Sequence, residues 1–590
     1  MRDVLHSITL TAGLLIAAAL SGCETPTKDD STASLRKAVE AGIERELQLV
    51  PEGEPFRPVT QPPSAVAAEL GGRIGALDEI GPQRATIGKS LDLGPDLQGQ
   101  VQQEVAISLQ RAIATAVKNN LSARIAQLQP AISEADVVAA EAAFDATLFV
   151  SAGYVDTNQP QVVPIINNFR IGSSVQGSRS WVFETGVRRQ LETGGSFSVS
   201  TDLRQTDNTS PGIEFSPDPA WNSAVRVGFS QPLLRGFGWD VNTATIQLTR
   251  NQERKSVQEL RATLLDLLFQ VESAYWELVV ARQQLATDMW SVEVGEQVRE
   301  VLARRRGFDT KQAQYSDAVA TVEQRKSRVL ASRRAVRAAS DRLKTLMNDP
   351  EIPVELETLV APVDWMVEAP INSNLREAVL SAVQNRPELQ IALLGIDDAS
   401  IRVTVADNQR LPALDLDAQF AFFGLNDSAG DAYSGTFRGN FVDYILGLTF
   451  SQPIGNRAAE ADFRAARLSR SASVLNYRRA LQDVVFDVKN ALRNCATSYE
   501  LISALRSTRL AEAENLRTLL VEEQTLASLT PEFLNLKFQR QDRLASASIA
   551  EYRAQATYNT SVAGLYRSLG IGLAVNRIEF EAPDASVASR

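Results

Sequence analysis

Histidine is almost absent from this 590-residue chain: the single copy is His6, inside an apolar leader. Once that leader is removed the chain has no imidazole. That excludes the usual general base, the usual zinc ligand and every Ser-His or Cys-His pair. Carboxylates alone can run glycosidase-type chemistry, but no isolated pair stands out among 71 acidic residues. The sequence therefore offers no catalytic residue, no cofactor site and no metal site, and it does not read as an enzyme. A surplus of positive charge is also missing. The formal net charge of −11 argues against nucleic acid as a partner, since phosphate binding needs a basic surface.

Cysteine is nearly as scarce, with only Cys23 and Cys495. Cys23 closes Leu20-Ser21-Gly22-Cys23, directly after the apolar run Ile8 to Leu20. That run is too short to span a bilayer as a mature helix but suits a secretory signal. The tetrapeptide resembles the lipobox of bacterial lipoproteins, a resemblance that implies a lipoprotein signal peptide at residues 1–22 and lipidation at Cys23. An acylated, palmitate-bearing Cys23 would hold the chain to membrane lipid, and Glu24 leaves the outer membrane open as the destination. Cys495 is then left without a disulfide partner and reads as a small buried apolar residue in a helix.

What the chain does contain is a second copy of itself. From Leu109 it reads LQRAIATAVKNNLSARIA, and from Leu375 LREAVLSAVQNRPELQIA. Leu109, Ala112, Ala116, Asn119 and Ile125 align without a gap on Leu375, Ala378, Ala382, Asn385 and Ile391. Later, Phe229-Ser230-Gln231-Pro232 returns as Phe450-Ser451-Gln452-Pro453. Each copy opens with an alanine-rich helical stretch, 106–143 and 372–409. The period then switches to two, the mark of a strand with two different faces. Leu148, Val150, Ala152 and Tyr154 form one such face, and Leu414, Leu416, Ala418, Phe420 and Phe422 the other copy's. A polar loop at 424–441 separates the latter from a returning strand, Tyr444, Leu446, Leu448 and Phe450.

Proline and glycine are missing where they would break a helix. From about Val241 to Arg306 there is no proline and one glycine, Gly295, a stretch on the order of 100 Å long as an α-helix. Val257, Leu260, Leu264, Leu267, Val271, Ala274, Leu278, Ala281 and Leu285 alternate three and four apart, as in a coiled-coil seam. The second copy has its equivalent from about Ala458 to Leu526. Breaks at Gly307-Phe308 and Leu529-Thr530-Pro531 precede returning helices at 311–348 and 532–569. The domains are thus a tether (23–104), repeat 1 (105–348), a proline-rich linker (349–371), repeat 2 (372–572) and a polar tail (573–590).

The two copies differ in one place. Leu109 to Phe229 is 45 residues longer than Leu375 to Phe450. The excess holds Trp181, Phe183, Thr185 and Val187 in alternation, the turn-like Glu192-Thr193-Gly194-Gly195, then Phe197, Val199, Thr201 and Leu203. This is a hairpin. It either adds two strands to a barrel or projects outside the membrane as an elongated loop.

Strands of this length and alternation suit a bilayer-spanning sheet, yet too few are present to close, and open edges are not tolerated in lipid. The duplicated openings at Leu109 and Leu375, the Gln-Pro strand ends at 231–232 and 452–453, Ala274-Tyr275-Trp276, and the run Pro232 to Gly238 together resemble the TolC-type outer-membrane efflux proteins over about residues 105–572. The resemblance implies an α+β membrane protein: a long coiled-coil helical barrel plus a transmembrane β-barrel, completed by homotrimerisation. It implies a passive channel subunit of a tripartite efflux or type I secretion system in the outer membrane and periplasm. A periplasmic membrane-fusion adaptor and an inner-membrane pump would be its partners. The family's adaptor contacts resemble an arginine–glycine pattern followed by small hydroxyl residues. Arg306 and Gly307 match it; in the second copy Ala527 replaces the glycine ahead of Ser528, Leu529 and Thr530. All five also read as ordinary helix-ending residues. Asp309, Asp317, Glu522 and Glu523 either place acid at a tunnel constriction that favours cations or lie on a solvated helix face. The alternative to a channel is a periplasm-spanning coiled-coil adaptor or structural lipoprotein. Adaptors normally carry one hairpin between compact β domains, whereas strands and helices alternate twice here.

Overall fold

The computed structural model of the chain describes residues 69–85, 91–97, 99–100, 103–166, 169–170, 172–211, 214–306, 310–525 and 530–579, with Ala41. The leader, Cys23, most of the tether and the tail beyond 579 lie outside these residues. The described chain runs α1 (Ile74–Ile80), β1 (Glu104–Ile107), α2 (Leu109–Asn119), α3 (Leu121–Glu141) and β2 (Thr147–Pro160). Then follow β3 (Val175–Gln190), β4 (Ser196–Asn208), β5 (Ala220–Pro232), α4 (Ala244–Arg305), α5 (Gln312–Met347) and β6 (Leu359–Pro362). The second repeat supplies α6 (Leu375–Asn385), α7 (Pro387–Asn408), β7 (Ala413–Asn426), α8 (Ala429–Thr436), β8 (Phe441–Ser451), α9 (Arg457–Thr525) and α10 (Pro531–Leu569).

The opening helical stretch of each repeat is two helices, not one. Asn120 leaves helical geometry at ψ 129°. Its side-chain oxygen accepts the Ala123 N–H, and its amide nitrogen donates to the Leu346 carbonyl at 2.8 Å. In the second repeat Pro387 makes the break, since it disfavours the α conformation at Arg386 and suits the first position of a new helix; Arg386 is extended there. Residues 106 and 107 belong to β1, which pairs in parallel with β6 of the linker.

α4 has 62 residues and α9 has 69, so each reaches on the order of 90–100 Å. Seven of the nine seam positions on α4 are buried (Leu260 to Leu285 apart from Ala281). They form one core with Ile113 and Ala116 of α2, Val336 and Leu343 of α5, Leu359 of β6 and Ile549 of α10. None of the described helices is long and apolar enough to cross a membrane.

Part of the tether is docked. Leu77 of α1 is fully buried among Leu510, Ala513, Leu516 and Leu544, and Asp78 accepts from Arg509 at 2.7 Å. The composition of this region, rich in proline and charge, masked the isolated apolar anchors Leu70, Leu77 and Leu93. The expected loop at 424–441 also differs: β7 continues to Asn426 and α8 follows, capped by Ser428, whose side chain accepts the Asp431 N–H.

Six strands form one antiparallel sheet in the order β8-β7-β5-β4-β3-β2. The inserted hairpin β3–β4 therefore lies within the sheet, paired to β2 on one side and to β5 on the other.

Candidate functional site: a two-faced sheet and a polar helical tip

The sheet register sorts side chains onto two faces. One row runs Leu148, Val187, Val199, Val227, Phe420 and Tyr444 across all six strands. Neighbouring rows on that face add Tyr154 and Trp181, whose rings lie 4.9 Å apart, and Phe197 with Phe229. Apart from half-buried Val227, these large apolar side chains are exposed in the single chain, Leu148, Tyr444, Leu446 and Leu448 heavily so. The opposite face carries Glu184, Asp202, Arg226, Asp415 and Asp417. There Arg226 pairs with Asp202, and Ser230 donates to Asp417 at 2.7 Å. This second face also holds Val155, Phe441 and Ile445, but the charges at central positions gather on it and not on the first, the sorting expected of a wall between water and lipid.

The hairpin turn is fastened at the foot of the sheet. Leu191 to Gly195 meets the junction where β5 becomes α4. Thr193 donates its hydroxyl to Gln231 Oε1 at 2.9 Å, and Gln231 Nε2 donates to the Thr193 carbonyl at 3.1 Å. Gly238 N–H donates to the same carbonyl, and Asn242 ties Gly236 and Gly238 through their carbonyls, each at 2.8 Å. Gly194 sits at φ +95°, and a Cβ there would stand 2.2 Å from the Gly236 oxygen. The Pro232 to Gly238 run is therefore the seat of the inserted hairpin.

Sheet and helices leave matching open edges. β2 and β8 are the outermost strands, and the helices joined to them, α3 and α9, are the outermost of the four that lead into the sheet. On α3, Leu121, Ile125, Leu128 and Ile132 make a stripe more than half exposed; on α9, Leu468, Leu475 and Phe486 do the same.

At the far end the helices turn back. Gly307, Asp309, Ser528 and Leu529 lie outside the described residues. Arg306 ends α4, its N–H bonded to Ala303 and its guanidinium 5.1 Å from the centre of the Tyr315 ring. Thr530 caps α10 by accepting the Phe533 N–H at 3.2 Å. Asp317 and Glu522 are exposed. Glu523 accepts from Lys537 at 2.6 Å and so ties α9 to α10. Gln314 donates to Glu532 across the two hairpins at 3.3 Å.

Above this tip stands a residue that sequence reasoning missed. Arg325 of α5 is fully buried. It donates to the Ser291 carbonyl of α4 at 2.6 Å, to Gln541 and the Phe538 carbonyl of α10 at 3.2 Å, and pairs with Asp542 at 3.2 Å. Burial draws its guanidinium below the usual range and Asp542 opposes that pull; an arginine remains charged regardless. Gly295 provides the space, since a Cβ there would stand 2.7 Å from Arg325 Nη1. Nearer the waist, Glu551 is buried and accepts from Arg506 at 2.9 Å and from Arg509 at 2.5 Å. Burial works against the charge of Arg506, but Glu368 and Glu551 outweigh it and hold the guanidinium above its usual range. Only their partners in the fold distinguish these arginines from their many solvated neighbours in sequence.

The geometry has known counterparts. The sequence profile of the outer membrane efflux protein family matches residues 379–571. Protein CyaE of Bordetella pertussis is 27% identical over 184 residues, which is 31% of this chain and 38% of that relative's length. Among solved structures, the Campylobacter jejuni CmeC outer membrane channel aligns with TM-score 0.58 at 14% identity, over 86% of this chain and 95% of that one. The open state of the Neisseria gonorrhoeae MtrE outer membrane channel aligns with TM-score 0.55 at 20% identity, over 79% and 89%. The chain has the fold of these channels.

Proposed function

We propose, for a chain whose residues 379–571 belong to the outer membrane efflux protein family, that three copies close into a passive export conduit across the outer membrane and periplasm. The observation that carries this reading is the coincidence of open edges. β2 and β8 expose unpaired ladder groups, which lipid does not tolerate, and the apolar stripes of α3 and α9 flank the same two edges. The six strands alternate in direction, so β2 of one copy meets β8 of the next antiparallel, as cyclic closure requires. The apolar sheet face then meets lipid and the polar face lines water. The conduit itself performs no chemistry. It supplies a path, and an inner-membrane pump reached through a periplasmic adaptor supplies the energy, in an efflux or type I secretion assembly.

The adaptor would engage the tip formed by Arg306, Gly307, Ser528, Leu529 and Thr530. Acylated Cys23 would fasten each chain to outer-membrane lipid. The test is to extract the protein from outer membranes, measure its mass by native mass spectrometry and record conductance in planar bilayers. Three chains with discrete channel openings are expected. A chain that becomes a water-soluble monomer on removal of the acyl groups would overturn the reading. Loss of adaptor cross-linking on substituting Gly307 and Ser528 tests the tip; full retention would remove them from it.

A further inference from the structure

We infer that the assembled barrel has eighteen strands, with the inserted hairpin β3–β4 forming a third of its wall. This rests on the three-chain reading above and goes beyond it. β3 and β4 are not an appendage. β2 pairs with β3 over fourteen positions from Thr147 to Pro160, and β4 pairs with β5 from Ser196 to Thr206. Removing the hairpin would separate β2 from β5. The two-faced pattern also runs through its central positions, with Arg179 and Arg189 on the apolar face only near the ends of β3. Trp181, Phe183, Val187, Phe197 and Val199 continue the apolar face, and Glu184 and Asp202 continue the polar one. A hairpin projecting into water would have no reason to keep large apolar side chains on the side that β2, β5 and β8 expose. The seat at Gln231, Gly236 and Asn242 fixes its turn at the sheet–helix junction.

The circumference of the helical wall is compatible with this count. Four helices per chain, α3, α4, α7 and α9, lead into the sheet. Twelve helices at about 8–10 Å spacing make a ring of about 95–120 Å. Eighteen strands about 4.8 Å apart, tilted about 40°, make one of about 110 Å, or about 35 Å across. Twelve strands under the same geometry make about 75 Å, a narrower wall. Six strands per chain therefore let the β-wall continue the helical wall at nearly constant width.

Electron cryomicroscopy of the full-length protein in lipid nanodiscs counts the strands directly. Eighteen is the expected result. Twelve strands in a three-chain assembly, with 175–208 standing outside the wall, would overturn this inference while leaving the conduit reading intact. A single uncombined chain would overturn both. An independent measurement uses single cysteines in a Cys495→Ala background. A water-soluble maleimide should label Glu184→Cys and Ser200→Cys at least tenfold faster than Phe183→Cys and Val199→Cys. A quencher dissolved in lipid should reach probes only at 183 and 199. Equal labelling at all four positions would place the hairpin in water and overturn the assignment.

Discussion

An added Cβ at position 295 would stand 2.7 Å from Arg325 Nη1, so Gly295 and Arg325 act as one device that couples α4 to α5 and α10. Arg325→Met keeps the volume but leaves Gln541 without its donor and removes two bonds to helix carbonyls. A loss of about 1–3 kcal/mol per orphaned buried group should appear locally, because helix ends open independently of the core. Amide exchange in α4 from 290 to 302 should rise roughly ten- to hundredfold while 257–285 stays protected. A uniform rise along the helix, or none, would show that Arg325 is not a local lock. Cys495 offers a second test at this scale. Burial pushes its thiol up to about 12, so the reactive thiolate is rare at neutral pH. Native protein at pH 8 should alkylate at least a hundredfold more slowly than unfolded protein, with a tenfold gain per pH unit while the fold persists. Rapid alkylation at pH 7 would contradict the buried placement.

The order of elements was readable because its signals are local. The three-four spacing from Leu260 to Leu285 and the two-residue alternation at Leu148 and Leu414 depend on near neighbours alone. What required distant partners was not readable. The register of the hairpin depends on Gln231 meeting Thr193, 38 positions earlier. α8 contains two glycines and becomes a helix because Ser428 caps it and Ser223 holds it from β5, 2.9 Å from the Ala432 carbonyl. The lower seam, with Thr287, Asp288, Ser291 and Gly295, looks like a lapse in the coiled-coil pattern until Ser332 and Arg325 are placed opposite. Of the tip residues, Arg306 and Thr530 serve as helix ends, and Glu523 serves as an ion-pair partner. The hairpin seat yields its own prediction. Gly194→Val combines a clash with the Gly236 oxygen and an unfavourable φ. Protease nicking near 191–195 should increase severalfold, and heat dissociation of the assembly should occur at lower temperature. Gly153→Ala, where nothing lies within 4 Å of the new methyl group, should change neither. Equal behaviour of the two variants would remove the seat.

For the whole molecule, the decisive quantity is apolar surface left uncovered in one chain. Leu121, Ile125, Leu128 and Ile132 project from one edge, and Leu468, Leu475 and Phe486 from the other. Burying a side chain of this size contributes about 1.5–3 kcal/mol, so two such stripes meeting at each of three junctions would dominate the helical part of the interface. Charges placed in the stripe reverse that sign, because an unpaired carboxylate in a packed apolar contact carries a large desolvation cost. If three copies close as proposed, Ile125→Asp with Leu128→Asp should abolish heat-resistant trimers on semi-native gels, and Leu475→Asp should weaken them. Helix content by circular dichroism should hold, since none of the three side chains supports the core of its own chain. Val354→Asp, an equally simple charge at an exposed linker residue, should leave the trimer intact. The comparison separates edge pairing from surface charge in general. If the stripe variants assemble as well as the Val354 variant, the helical edges are not where the copies meet, and closure would rest on the β2–β8 ladder alone.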